Sequence, residues 1–150
     1  MANIVPYSFP VQLLSGAHNF ASAGNSFYLA LYTANPYTTA STVYSATSEV
    51  SSSGGSQYTA GGNLLASQAV SNVNNVATVD FADSVWGTPT PASFTASYGA
   101  IYNSSSSNKL VVVLDFGGSK TCSNGTFTVT FPSPTAGTPS GSDAIISITS

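Results

Sequence analysis

Turn-forming residues divide this chain into short segments rich in Val, Ile, Phe, Tyr and Thr. Gly, Asn, Pro or Ser interrupts these segments at intervals of about ten residues, and β-branched and aromatic residues favour strands. The predicted strands are Phe27–Thr33, Ala66–Val70, Val76–Phe81, Phe94–Tyr102, Leu110–Phe116, Thr126–Phe131 and Ala144–Thr149. Many short strands with frequent turns predict an all-β fold, an antiparallel β-sandwich or jelly roll.

One segment near the N-terminus has the periodicity of a helix. Apolar residues recur at three- and four-residue steps between Phe9 and Phe20, behind Pro10, which suits the first turn of a helix. The pattern predicts one short helix, so that an N-terminal arm and this helix together occupy about residues 1–24. Because no linker composition interrupts the chain, residues 1–150 are expected to form one domain.

The segment Phe27–Thr33 differs from the other predicted strands because it is apolar on both faces. This pattern fits a central strand that is covered on both sides, and Asn35-Pro36 then ends it. Residues 37–62 are mostly Ser, Thr, Gly and Ala, which predicts a long connection able to carry short edge strands. Asn74-Asn75, between two apolar segments, predicts a hairpin turn.

Ionisable side chains are scarce. The chain has two basic and five acidic residues, no Arg and one His. Acid–base catalysis, metal binding and nucleophile activation all draw on such groups placed close together. We therefore expect a structural or binding protein rather than an enzyme, with no catalytic residues, no cofactor and no metal site.

The charge balance also limits the partners. Lys109 and Lys120 are the only cations and the net charge is −3, which suits neither nucleic acid nor an anionic membrane surface. A weakly charged surface does little to keep copies apart, so self-assembly is expected. Because there is no basic and apolar leader and no run of ~18 apolar residues, a soluble and unprocessed protein is expected. The sequons at Asn103 and Asn124 receive no role without a secretory context.

Five individual side chains are candidates for a catalytic or binding site. His18 has no carboxylate or second His near it in sequence, which favours a polar helix residue or a cap partner. Cys122, the single cysteine, is interpreted as a buried packing residue.

Asp80 and Asp83 do not match a Ca²⁺ loop pattern, so turn and cap hydrogen bonds are expected for Asp83. Trp86 is either a core residue at the end of a strand or an exposed ring that stacks on sugar or inserts into a neighbouring protein, and general burial favours the core.

Several short motifs also occur in a recognisable order. They are Phe27 to Thr33 with Asn35-Pro36, Glu49-Val50 ahead of Gly54-Gly55-Ser56-Gln57-Tyr58, Val79-Asp80-Phe81 ahead of Trp86-Gly87-Thr88, and Gly99-Ala100-Ile101-Tyr102. In this order, over roughly Leu13 to Phe131, the chain resembles small tailed-phage virion proteins, which are described as head decoration, cement or tail-fibre-like proteins. The resemblance implies a β-rich virion component without enzymatic activity. The chain departs from the family after the glycine-rich motif, where Thr59-Ala60 stands in place of a frequent basic residue.

These observations lead to one main hypothesis, a capsid decoration (cement) protein made in the host cytoplasm and located on the outer surface of the head. Its expected partners are the major capsid protein and further copies of itself, in an oligomer expected to be a trimer. Apolar area buried against the shell, in interfaces of around 1,600 Å² in total, would bridge capsomers. The predicted contact residues lie in the N-terminal arm and helix, and they are Val5, Tyr7, Phe9, Leu13 and Leu14.

Two further hypotheses come from other classes of protein. A tail or head fibre component would contact the host surface through Trp86 and the loops rich in Ser and Tyr. A glycan-active enzyme would need two carboxylates about 5 to 10 Å apart in a cleft. Only Glu49 and four Asp residues exist to supply them.

Overall fold

The computed structural model describes residues 3–73, 76–131 and 145–149. These residues form one α-helix and nine strands in a β-sandwich, which confirms the predicted all-β class with one short N-terminal helix. The elements are α1 Ser8–Leu14, β1 Phe27–Tyr32, β2 Asn63–Leu64, β3 Ala69–Val73, β4 Val76–Asp80, β5 Ser84–Trp86, β6 Ala92–Asn103, β7 Lys109–Gly125, β8 Phe127–Val129 and β9 Ile146–Thr149, with a 3₁₀ turn at Ser104–Ser106.

The strands form three sheets. The largest has the order β2-β1-β6-β7, and two smaller sheets have the orders β3-β4-β9 and β5-β8. Every strand pair is antiparallel. The predicted hairpin is confirmed as β3 and β4, which pair from Ala69↔Asp80 to Val73↔Val76. Its turn at Asn74-Asn75, like the Pro- and Gly-rich stretch from Pro132 to Gly141, lies outside the described residues.

Alternate residues of β1 point to opposite faces of the largest sheet, and both faces are covered. Phe27, Leu29 and Leu31 belong to one core cluster, whereas Ala30 and Tyr32 belong to another. We call the first the phenylalanine face and the second the tyrosine face. The prediction of a central strand buried on both sides is therefore confirmed.

The phenylalanine face is closed by the helix and by the two smaller sheets. All eight phenylalanines of the chain lie in this core or pack against it. Phe9 reaches it from α1, Phe81 from the end of β4, and Phe127 from β8. The rings of Phe20 and Phe27 stack at 4.4 Å between centroids, so this side of the sandwich is held by apolar packing.

The tyrosine face is closed by Tyr37 and Tyr44 of the long connection of residues 37–62, whereas Val50 and Tyr58 of the same connection belong to the phenylalanine face. Six of the eight tyrosines lie in this cluster or pack against it. Within the connection the structure shows isolated bridges rather than strands, Val43 with Lys109 on β7 and Glu49 with Tyr32 on β1. Ile4 of the N-terminal arm makes a further bridge, to Val113 of β7. Both segments thus lie along the largest sheet.

Several boundaries differ from the predictions, and glycines account for two of the differences. The helix ends at Leu14, not near Phe20, because Gly16 has a φ of +74°, which helical geometry excludes. The strand predicted as Leu110–Phe116 is longer than expected, because β7 continues through Gly117-Gly118. Residues 116–119 form a bulge between the pairs Tyr98↔Asp115 and Ala96↔Lys120.

Candidate functional site

Two adjacent hollows lie between α1 and the β3-β4-β9 sheet. One has a volume of about 450 Å³ and the other of about 550 Å³. Leu13 of the helix and Ile146 and Ile148 of β9 line both, so the hollows form one continuous surface. We call it the helix–β9 surface, and it comprises Val5, Leu13, Leu14, Val70, Ile146 and Ile148.

Helical periodicity decides which residues of α1 reach this surface. Phe9 and Leu13 are four residues apart and share the side of the helix that packs on the core. Leu14 is displaced by about 100° around the helix and is 90% exposed. The helix therefore presents one aliphatic side chain to the core and the next to solvent at the border of the second hollow.

The five predicted contact residues divide into exposed and buried ones. Val5 is 50% exposed, Tyr7 75% and Leu14 90%. Leu13 is partly buried and packs against the core. Phe9 is only 4% exposed, because its ring packs at 5.3 Å from His18 and 6.4 Å from Phe20 between centroids. The expectation of Phe9 as a contact residue is thus corrected, since its ring is part of the core.

Sequence reasoning missed the β-strand half of the surface. Val70 of β3 is 57% exposed and Ile148 of β9 is 53% exposed. The register places Val70 beside Val79 and Val79 beside Ile146, on the same side of the sheet. The spacing of two residues between Ile146 and Ile148 indicates that both lie on one side of a strand. No local pattern, however, shows that this side faces the N-terminal helix.

The helix–β9 surface carries no charge at neutral pH. None of the described residues that line either hollow is acidic or basic except His18. Burial lowers the pKa of His18 to about 4, and the positive charge of Lys109 acts in the same direction. The ring is therefore neutral, and apolar contact is what the surface can offer a partner.

His18 is a core residue rather than the helix residue or cap partner that was expected. It follows the end of α1 and is 5% exposed. Its Nε2 donates to Gln12 Oε1 at 3.0 Å, and Nδ1 accepts from Asn103 Nδ2 at 3.1 Å. These two partners satisfy both ring nitrogens of the neutral imidazole.

Trp86 lies in the core, which confirms the favoured interpretation. The side chain is 3% exposed, and its ring lies 6.2 Å from those of Tyr58 and Phe127 between centroids. The alternative of an exposed ring that stacks on sugar or inserts into another protein is therefore wrong for this conformation. Cys122 is likewise a buried free thiol, as expected.

Asp83 and Glu49 act as hydrogen-bond acceptors. Asp83 Oδ1 accepts from the backbone N–H of Phe131 at 2.9 Å. Glu49 accepts three hydrogen bonds: Oε1 from Tyr58 Oη at 2.6 Å and Gly61 N at 2.7 Å, and Oε2 from Tyr44 Oη at 2.6 Å. No local pattern predicts this clamp, because its donors lie up to twelve residues away in an irregular segment.

The Glu49 clamp explains how residues 37–62 hold a defined shape. Burial and the nearby carboxylate raise the pKa values of Tyr44 and Tyr58, and raise the pKa of Tyr102 to about 12. Tyr102 Oη donates to Gly61 O at 2.8 Å, which ties the same segment to β6. The phenols thus stay protonated and keep donating at neutral pH. The Glu49 clamp therefore has the geometry of a structural feature that holds this segment in place.

Within residues 3–73, 76–131 and 145–149, no group of three or more His, Cys, Asp or Glu side chains is placed to hold a metal ion. In the same part of the chain, no helix has the length and hydropathy needed to cross a membrane. Comparisons with protein-family models, with curated proteins and with solved structures found no match.

Proposed function

We propose that this chain is a phage virion structural protein, a capsid decoration protein that binds the outer surface of the head through the helix–β9 surface. The observation that carries the proposal is the uncharged pair of adjacent hollows bordered by Val5, Leu14, Val70 and Ile148, each at least 50% exposed. Contiguous exposed apolar surface marks sites of protein–protein contact. The motif order that resembles small tailed-phage virion proteins supplies the class of partner, the major capsid protein.

The proposed mechanism is burial of aliphatic side chains against the shell. Fully burying a Val, Leu or Ile side chain contributes about 1.5–3 kcal/mol. The cost of desolvating ions is absent, because the described residues of the surface are uncharged at neutral pH. Many such contacts, repeated over a shell and bridging neighbouring capsomers, would resist internal pressure although each contact is modest.

Particle binding by Leu14→Asp tests the proposal. Leu14 is 90% exposed, so the substitution leaves the fold intact while placing a charge at the contact. We expect at least a tenfold loss of binding to particles that lack the protein, measured as copies per particle and as survival of heated particles. Leu64→Asp is the matched control, because Leu64 is 56% exposed on β2 and lines neither hollow. Unchanged occupancy by Leu14→Asp would show that the contact lies elsewhere.

Copy number separates the shell from other parts of the virion. A decoration protein is present in hundreds of copies per purified particle, whereas a fibre or vertex component is present in a few to a few dozen. A count of a few to a few dozen copies per particle would contradict the decoration proposal and would support a tail or head fibre component. The burial of Trp86 removes one of the contacts proposed for that alternative, which would then depend on the loops rich in Ser and Tyr.

A further inference from the structure

Strand β3 presents an open edge of the β3-β4-β9 sheet. It pairs with β4 on one side, and no described residue pairs with it on the other. The side chains of Ala69, Val70, Ser71 and Asn72 are all exposed. In an antiparallel pair, alternate residues direct their backbone N–H and C=O groups away from the partner strand. The outer edge of β3 is therefore a row of groups able to accept another strand.

This edge is regular and firmly attached. Its five pairs with β4 run in one register without a bulge. Gln68 Nε2, just before the strand, donates to Ala21 O at 2.6 Å, and the hydroxyls of Ser71 and Thr78 are 2.7 Å apart across the pair. Edge strands are commonly protected by charges, prolines or bulges. β3 contains no charged residue and no proline, so nothing in the strand opposes pairing.

We propose that β3 pairs antiparallel with β3 of a second copy of this chain, which joins two three-stranded sheets into one sheet of six strands. A second copy is a suitable partner because antiparallel pairing of two identical strands is isologous, which means that the same residues of both copies form the contact. The backbone N–H groups of each edge then meet the C=O groups of the other. No charge within Ala69–Val73 produces repulsion across the two-fold axis. An isologous contact closes as a dimer, in place of the trimer that was expected.

The symmetry of this contact has a consequence for the surface of the pair. A two-fold axis perpendicular to the sheet keeps every residue on its own side, so both copies present Val70 and Ile146 on the same side. The two helix–β9 surfaces then lie side by side and face one partner surface. This consequence rests on the proposed function, because it makes the dimer a bivalent ligand of the shell, whereas the pairing itself does not.

Ser71 gives the sharpest test, because its neighbour Val70, and not Ser71, lines the hollow. We expect the full chain to sediment as a dimer at high micromolar concentration and Ser71→Lys to sediment as a monomer with an unchanged circular dichroism spectrum. Ser71→Ala removes the hydrogen bond to Thr78 without adding charge, and it should remain dimeric. An equimolar mixture of Ser71→Lys and Ser71→Glu should recover the dimer at low salt and lose it at high salt.

Several results would overturn the pairing. They are a monomeric or trimeric wild-type chain, a Ser71→Lys variant that remains dimeric, and a dimer that Leu14→Asp abolishes while Ser71→Lys does not. The two proposals also fail separately. If Leu14→Asp retains full particle occupancy while Ser71→Lys is monomeric, the shell contact is wrong and the pairing stands. The reverse pattern, with a dimeric Ser71→Lys and a particle-deficient Leu14→Asp, leaves only the shell contact.

Discussion

The two faces of the largest sheet are closed by different chemistry, although β1 supplies both. On the phenylalanine face, α1 and two small sheets bring apolar rings together, and His18, which packs among them, is kept neutral. On the tyrosine face, an irregular segment is attached by hydroxyl groups, because Tyr44 donates to the carboxylate of Glu49 and the hydroxyl of Tyr37 bonds to that of Tyr32. Regular elements can cover a sheet by shape alone, but a loop must also satisfy its backbone, and phenols provide both ring area and a hydrogen bond.

The largest effect is expected from Phe27→Ala on the phenylalanine face. Phe27 is fully buried and stacks on Phe20, so removal of the ring leaves a cavity that costs about 4 kcal/mol of unfolding free energy. Tyr28→Ala, one residue further and on the tyrosine face, should cost less because Tyr28 is only partly buried. Urea unfolding followed by circular dichroism measures both. Equal losses would contradict the contrast between the faces.

Glu49→Gln weakens the clamp that holds residues 37–62. The amide oxygen can still accept from Tyr58 and Gly61, but the Tyr44 hydroxyl then faces an N–H donor, and none of the hydrogen bonds is made to a charged acceptor. We expect a loss of about 2 kcal/mol and faster proteolytic cleavage within residues 37–62. Asp83→Asn is the control, because its remaining oxygen can still accept from the Phe131 amide. Cleavage at the wild-type rate would show that Glu49 does not hold the segment.

His18 makes the stability of the phenylalanine face depend on pH. Its pKa is about 4 when folded and 6.5 when unfolded, so between these values the unfolded chain binds more protons. Its contribution is complete above pH 6.5 and is lost as the pH falls toward 4, with a loss of about 2 kcal/mol already at pH 5. His18→Gln retains a donor for Gln12 and an acceptor for Asn103, and should flatten the dependence in urea titrations over this interval. An unchanged slope would contradict the assignment.

The smallest effect is expected from Tyr37→Phe. The hydroxyl of Tyr37 is 2.7 Å from that of Tyr32 and accepts from Ser45 N at 2.9 Å, so its removal leaves the Ser45 amide unpaired. We expect a loss of about 1 kcal/mol in chemical unfolding. Tyr7→Phe, at a residue that is 75% exposed, should change stability by less than the error of the measurement. If the two variants behave alike, the hydroxyl network adds nothing to ring packing.

Local pattern was sufficient for the fold class and for the central strand. Apolar side chains at both odd and even positions of Phe27 to Thr33 predicted that β1 is covered on both faces, because successive side chains of a strand point to opposite faces. Burial tendency likewise predicted Trp86 and Cys122 as core residues. The prediction that a strand ends at Phe116 is wrong, because β7 continues through Gly117-Gly118 with a bulge at residues 116–119. The aromatic ring of Phe116 lies over Gly99 at this bulge.

The sequence by itself determined an antiparallel all-β chain, because strand periodicity and turn chemistry are properties of neighbouring residues. Only the tertiary structure decided that Phe9 is buried in the core while Leu14 is exposed. It also brought Asn103 into contact with His18, 85 positions away in the chain. In the same way, Val70 and Ile148 join the N-terminal helix in one uncharged surface only through the packing of the sheets. Such meetings depend on how sheets pack over a shared core, and packing is a property of residues that are distant in sequence.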